Sequence, residues 1–80
     1  MNMNEWEIKS RMAKVYKEMY PKGTRIELVD MEDIYSPIDP YTKGTVEFVD
    51  DIGQIHMRWD NGRTLALIPD KDVFRIIKEE

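Results

Sequence analysis

Few side chains of this 80-residue chain have the chemistry of a catalytic or metal-binding group. His56 is the single histidine and there is no cysteine, so a zinc site built from these two residue types cannot be assembled. A Ser-His-Asp site would need Ser10 or Ser36 beside His56, and nothing in their spacing suggests that arrangement. We therefore expect that the protein is not an enzyme.

The acidic residues do not form a recognisable cation site either. Asp30, Glu32 and Asp33 offer the oxygen ligands that hard cations prefer, but they lack the spacing of a calcium-binding loop. The four glycines lie at expected turns and not in a phosphate-binding loop. These patterns predict that no metal and no cofactor is bound.

Composition and charge narrow the class of partner. The net charge of −4 argues against nucleic-acid binding, which needs a basic surface. Five basic residues lie in the first segment, but on a helix they would point in several directions and form a solvated face: Lys9, Arg11, Lys14, Lys17 and Lys22. A hydrophobic share of 41% is ordinary for a globular domain. No transmembrane run or signal peptide is recognisable, so we expect a cytoplasmic protein without membrane association.

Residues 44–68 contain two hairpin turns around which the other segments are arranged. In the second turn, Asn61-Gly62 favours positive backbone φ angles. A two-residue loop would mix polar and apolar residues on one face. A three-residue loop starting at Asp60 instead sets Met57 opposite Leu65 and separates the faces, so we prefer that register.

The first turn is Asp50-Asp51-Ile52-Gly53, with aspartate early and glycine last. A four-residue loop there would set Phe48 opposite Ile55 and Val46 opposite Met57. The two turns then agree on one buried face. Its predicted members are Val46, Phe48, Ile55, Met57, Trp59, Leu65 and Leu67.

An amphipathic helix is predicted over residues 4–20, with Asn4 as its N-cap and Pro21 and Gly23 after its end. One apolar stripe recurs at the helical period and is expected to close one side of the sheet: Ile8, Met12, Val15, Tyr16 and Met19. Trp6 lies off that stripe. It either covers the helix end or contacts a partner.

Further strands are predicted at residues 24–29, with Ile26 and Leu28 inward, and at 73–77. A connection of residues 30–43 contains two prolines, which exclude a regular central strand, and loops this long are often functional. Its Tyr35, Ile38 and Tyr41 either pin the loop to the core or face a ligand. The strand order predicts a single domain over residues 1–80: a mainly β, SH3-like small barrel of about five strands over residues 24–77, preceded by the helix.

Four runs of residues carry a resemblance to a known family. They are the run from Tyr20 to Leu28, Gly44-Thr45-Val46, Val49-Asp50-Asp51-Ile52-Gly53 and Trp59-Asp60-Asn61-Gly62. With Leu65, Pro69, Asp70 and Asp72 they resemble the family called domain of unknown function 4314, through Ile77. The resemblance implies a bacterial, phage or mobile-element source and implies no activity. Members often have Pro-Gly where this chain has Pro40-Tyr41.

The functional hypothesis is a binding module. SH3-like barrels commonly bind through the long first loop and the neighbouring short loop. Here those loops offer the candidate ligand- or partner-binding residues Tyr35, Pro37, Tyr41, Asp50 and Asp51, although the two aspartates also suit a purely turn-forming role. A protein partner ranks first. A small ligand, such as a nucleotide captured by a phage-borne inhibitor of bacterial defence, ranks second, and nucleic acid ranks third.

Overall fold

A computed structural model gives the fold and describes residues 2–32, 35 and 38–78. The chain is mainly β. Its elements are a helix α1 (Glu5–Met19) and four strands, β1 (Arg25–Asp30), β2 (Lys43–Val49), β3 (Ile55–Trp59) and β4 (Val73–Ile76). The strands form one antiparallel open sheet in the order β3-β2-β1-β4.

Helix α1 begins and ends where the sequence predicts. The side chain of Asn4 accepts a hydrogen bond of 2.8 Å from the backbone N–H of Glu7, which satisfies one of the free donors at the helix start. Gly23 follows the helix with a φ of 92°, a backbone conformation that glycine adopts without steric cost. The helix prediction is therefore confirmed.

The face that α1 turns towards the core differs from the prediction. Ala13 is its buried residue, and Tyr16 and Tyr20 pack against the core beside it. A Cβ atom on Gly53 would lie 3.2 Å from the Tyr16 ring. The face of the helix with Ala13 and Tyr16 therefore packs closely on the first hairpin turn, because Gly53 has no side chain there. Ile8, Met12, Val15 and Met19 remain exposed. The prediction that the whole stripe closes the sheet is wrong for these four residues.

The register of the second hairpin is confirmed. Gly62 has a φ of 90°, and the Trp59 N–H donates to the Arg63 carbonyl at 2.8 Å across a three-residue loop. Ile55 bridges Leu67 through hydrogen bonds of 2.9 and 2.8 Å. Trp59 shares the buried face with Met57, as predicted.

Phe48 is the error in the predicted core. A β-bulge between Val46 and Phe48 inserts one residue into β2, and an insertion moves the following side chains to the opposite face. Val49 consequently pairs with Ile55 and is buried, across a loop of residues 50–54 and not the predicted four-residue loop. Phe48 pairs with His56, is 54% exposed and stacks on the imidazole with ring centroids 4.3 Å apart.

The core lies between the sheet and the segments folded over it. Its buried members are Ile26, Leu28, Ile38, Val46, Val49, Ile55, Met57, Trp59 and Leu67. The inward positions of Ile26 and Leu28 are thus confirmed, and Leu65 is half-buried against the cluster. Ile38 of the long loop belongs to this core, so it pins the loop to the sheet.

The strand that is predicted after the second hairpin turn does not form a ladder. Its bridge from Leu67 to Ile55 stands outside the named strands, so the described residues form a sheet of four strands. Side chains instead form hydrogen bonds with backbone groups of this segment. The Trp59 indole N–H donates to the Leu65 carbonyl at 2.8 Å, and the Asp72 carboxylate accepts from the Ile68 N–H at 2.8 Å.

Truncating a side chain to alanine should affect stability differently on the two faces of the sheet. Met57→Ala removes a side chain that is 2% exposed and should lower the free energy of unfolding by about 2–5 kcal/mol. Phe48→Ala removes a larger but exposed ring and should cost about 1 kcal/mol, chiefly through the lost contact with His56. Chemical denaturation of both variants measures the contrast. An equal or larger loss for Phe48→Ala would contradict the bulged register.

Candidate functional site

An open cleft of about 600 Å³ lies between the start of the long loop and the segment of residues 65–72. Met31, Glu32 and Tyr35 line it from the loop. From the other side it is lined by Leu65, Ala66, Ile68, Lys71 and Asp72. Its lining is mainly apolar, and its size is in the range of ligand pockets.

Asp72 holds the two sides of the cleft together. This carboxylate is buried, and its Oδ1 accepts the Glu32 N–H at 3.0 Å while its Oδ2 accepts the Ile68 N–H at 2.8 Å. Two backbone donors from segments far apart in sequence are therefore satisfied by one side chain. The Glu32 N–H comes from a segment 40 residues away in sequence, so the pattern around Asp72 does not indicate this bridging role.

The charged groups of the cleft are few and of both signs. Lys71 and Glu32 are exposed, whereas both oxygens of Asp72 already accept backbone hydrogen bonds. Within the part of the chain that the structure describes, no group of three or more His, Cys, Asp or Glu residues is placed to hold a metal ion. The cleft can therefore bind an apolar group, and Lys71 and Glu32 could interact with a polar group attached to it.

Two of the five candidate residues sit differently on the long loop. Tyr35 is 91% exposed and lines the cleft. Tyr41 is 70% exposed and is not among the residues that line it. Pro37 lies outside the described residues. Of these two tyrosines, the loop therefore brings Tyr35 to the cleft and not Tyr41.

Tyr41 occupies a strained position in a tight turn. The Thr42 N–H donates to the Asp39 carbonyl at 3.2 Å, with Pro40 and Tyr41 at the centre and a Tyr41 φ of 69°. This is the pattern of a type II turn, whose third position requires a positive φ and prefers glycine. The departure from Pro-Gly noted in the sequence thus falls at a residue whose backbone would suit glycine better.

Asp50 and Asp51 support the first hairpin turn and line neither side of the cleft. Asp50 Oδ1 accepts the N–H groups of Ile52 and Gln54 at 3.1 and 2.9 Å, and its Oδ2 lies 2.8 Å from His56 Nε2. Burial raises the pKa of Asp50, but the hydrogen bonds from His56, Gln54 and Ile52 outweigh it and hold that pKa below its ordinary value.

Asp51 connects the same turn to the helix. Its Oδ1 lies 2.6 Å from the Lys17 ammonium, and both side chains are largely solvent-accessible. The structure therefore gives both aspartates a structural role, and their predicted part in binding stays a prediction.

A second ion pair closes the other hairpin. The Arg25 guanidinium donates to both carboxylate oxygens of Asp60, at 2.8 and 2.7 Å, and to the Thr45 hydroxyl at 2.9 Å. Those hydrogen bonds hold the pKa of Asp60 below its ordinary value. Asp60 is therefore occupied in fixing the turn to β1.

Comparison with known families gives a clear assignment. The chain matches the family described as Domain of unknown function (DUF4314) over residues 9–77, and it belongs to that family. The match starts within α1, so it includes most of the helix as well as the sheet. No curated protein matches the chain. Among the described residues, no helix has both the length and the apolar character needed to cross a membrane.

Asp50 predicts a pH-dependent part of the stability. Because its folded-state pKa is depressed, its contribution is complete above the ordinary value of 3.8 and is lost as the pH falls through the lower folded-state pKa. Asp50→Asn should therefore lower the free energy of unfolding at pH 7 by about 1–3 kcal/mol. Urea denaturation should show that this difference from the wild type shrinks between about pH 5 and about pH 3, the roughly two pH units around the ordinary pKa of an aspartate.

Asp51→Asn is the matched control, because it removes the neighbouring charge and only a surface pair. It should cost at most about 1 kcal/mol at pH 7. The free energies of unfolding of the wild type and Asp50→Asn should not differ by a constant amount down to about pH 3, roughly one unit below the ordinary pKa of an aspartate. A constant difference would contradict the role assigned to the Asp50 charge.

The turn at Tyr41 predicts an unusual order of stabilities. Tyr41→Gly should be more stable than Tyr41→Ala by about 0.5–1 kcal/mol, because relief of the positive φ exceeds the entropic cost of glycine. Neither variant has the ring, so the comparison isolates the backbone. The same two substitutions at Thr42, which is not among the positive-φ residues, should rank in the opposite order. Thermal unfolding measures both pairs, and equal stability of the two Tyr41 variants would exclude the strain.

Proposed function

We propose that this protein is a non-enzymatic binding module that recognises a protein partner through the cleft between the long loop and residues 65–72. The observation that carries the proposal is a mainly apolar, open cleft with an almost fully exposed tyrosine at its edge. Tyrosine is common in protein interfaces because its ring buries a large area while its hydroxyl keeps a hydrogen-bonding partner. An apolar side chain of a partner, seated between Met31 and Leu65, would be covered by the Tyr35 ring.

The proposal includes an SH3-like barrel as the scaffold. Two observations support it: the order β3-β2-β1-β4, and the bridge from Ile55 to Leu67, which adds residues 63–68 beyond the β3 edge. In this chain the long loop and the segment after β3 both border the cleft. The phage or mobile-element origin, which the family resemblance implies, stays a prediction. The cytoplasmic location, which is expected from the sequence, also stays a prediction.

A small ligand remains the second candidate, because the cleft volume of about 600 Å³ would accommodate one. A nucleotide is less well matched, since its phosphates need several cationic or N–H donors. Among the described residues that line the cleft, Lys71 is cationic while Glu32 and Asp72 are acidic. Nucleic acid ranks third, because the net charge is −4.

The cleft proposal predicts that Tyr35→Ala lowers partner affinity by about tenfold or more, the usual effect of losing an interface anchor. The partner is first captured from a host lysate with the wild-type chain, and its affinity for each purified variant is then measured by calorimetry. Ala66→Gln fills the cleft and should have the same effect. The melting temperatures should stay near the wild-type value, because neither residue belongs to the buried core.

Tyr41→Ala is the matched control, because it removes another exposed tyrosine of the same loop that does not line the cleft. Its affinity should stay close to that of the wild type. Loss of binding in Tyr41→Ala with full binding in Tyr35→Ala and Ala66→Gln would place recognition on the turn and overturn the cleft proposal.

A further inference from the structure

Helix α1 presents an apolar stripe that the fold leaves uncovered. The stripe consists of Ile8, Met12, Val15 and Met19, which are 49%, 38%, 44% and 49% exposed. The helix contacts its own core through Ala13 and Tyr16 on an adjoining face. Four exposed apolar residues in line on one 15-residue helix are more than the single scattered hydrophobics of an ordinary surface.

The spacing of the stripe is that of a helix-pairing seam. Successive members are separated by four, three and four residues, which is the a and d pattern of a heptad repeat. A core-facing helix usually adds a third position to each heptad and forms a wider face. In α1 that wider face is divided, with Tyr16 directed to the core and the narrow stripe directed outward.

We propose that the stripe pairs with the same stripe of a second copy, with the two helices antiparallel around a two-fold axis. The charges that flank the stripe favour this orientation. Arg11 and Glu18 lie at equivalent heptad positions on one flank, seven residues apart, and both are exposed. In an antiparallel pair each Arg11 faces the Glu18 of the other copy, which gives two ion pairs. A parallel pair would set Arg11 opposite Tyr16, without a complementary charge.

The antiparallel orientation also matches the apolar layers. It sets Ile8 opposite Met19 and Met12 opposite Val15, so each layer combines a β-branched residue with a flexible methionine that fits its shape. Opposed helix dipoles are a further small contribution in this orientation. The interface is isologous, as a two-fold dimer requires, because both copies use the same stripe.

A groove beside the stripe enlarges the surface available to the second copy. Its volume is about 400 Å³. Ile8, Met12 and Tyr16 line it from the helix, and across from them are Ile52, Ile68 and Pro69. A helix laid along the stripe would therefore meet the first hairpin turn and the 68–69 segment. The seam itself is short, about 16 Å along the axis, so the dimer should be weak and concentration-dependent.

Sedimentation equilibrium over a wide range of concentrations tests the proposal. The wild type should show a reversible monomer–dimer equilibrium. Val15→Asp places a charge in the centre of the seam and should raise the dimer dissociation constant by about 100-fold or more. Val15 is exposed in the single copy, so circular dichroism and the melting temperature of the dilute variant should match the dilute wild type. Trp6→Ala, which removes an exposed aromatic residue off the stripe, should dimerise normally.

Charge reversal tests the orientation without touching the apolar seam. Arg11→Glu and Glu18→Arg should each weaken self-association by about threefold to tenfold at low salt, because each puts like charges opposite one another. A mixture of the two variants should form a heterodimer, since every pair across it is again opposite in charge. The double variant should regain the wild-type affinity.

Three results would overturn the proposal. The first is a wild-type chain that stays monomeric up to about millimolar concentration, where a dimer with a binding free energy of only about −4 kcal/mol would already form. The second is a dimer that Val15→Asp leaves intact, which would place the interface elsewhere. The third is self-association that is unchanged in both single reversals and shows no preference for the mixture.

Discussion

The close contact between Trp59 and Gly44 is the constraint on which the rest of the fold depends. A Cβ atom on Gly44 would lie 2.8 Å from Cε3 of the indole and 3.1 Å from the Arg58 carbonyl oxygen. Only glycine therefore lets the ring approach β2 this closely, and Trp59 is 1% exposed there. Trp59 ends β3 and Gly44 lies near the start of β2, so this contact fixes the end of the hairpin from which the chain continues.

The polar edge of the same ring determines the path of the chain after the hairpin. Its indole N–H donates to the Leu65 carbonyl, and a backbone donor three residues further on, the Ile68 N–H, donates to Asp72. With these groups engaged, residues 64–68 cross over the core and keep only the bridge through Leu67. Because Asp72 also accepts the Glu32 N–H, the crossing segment is tied to the long loop, and the cleft is the space left between them.

The sequence was sufficient to predict the second hairpin turn. It was not sufficient to predict the bulge in β2 or which face of α1 packs on the core. Asn61-Gly62 predicted the turn, and the alternation of polar and apolar residues around it selected the three-residue loop and placed Met57 and Trp59 correctly. The bulge in β2 carries no glycine or proline at its extra residue, so Phe48 was assigned to the wrong face. In α1 the stripe was visible, but Ala13 reaches the core because Gly53 presents no side chain to it, a long-range fact that periodicity does not contain. The bridging role of Asp72 is long-range in the same sense.

The two uncovered surfaces of the molecule share one segment. Ile68 and Lys71 line both the cleft and the groove beside α1, because residues 65–72 run between them. A substitution at Ile68 would therefore alter both surfaces at once. Tyr35 and Val15 each belong to one surface only, so their effects on partner binding and on self-association can be separated.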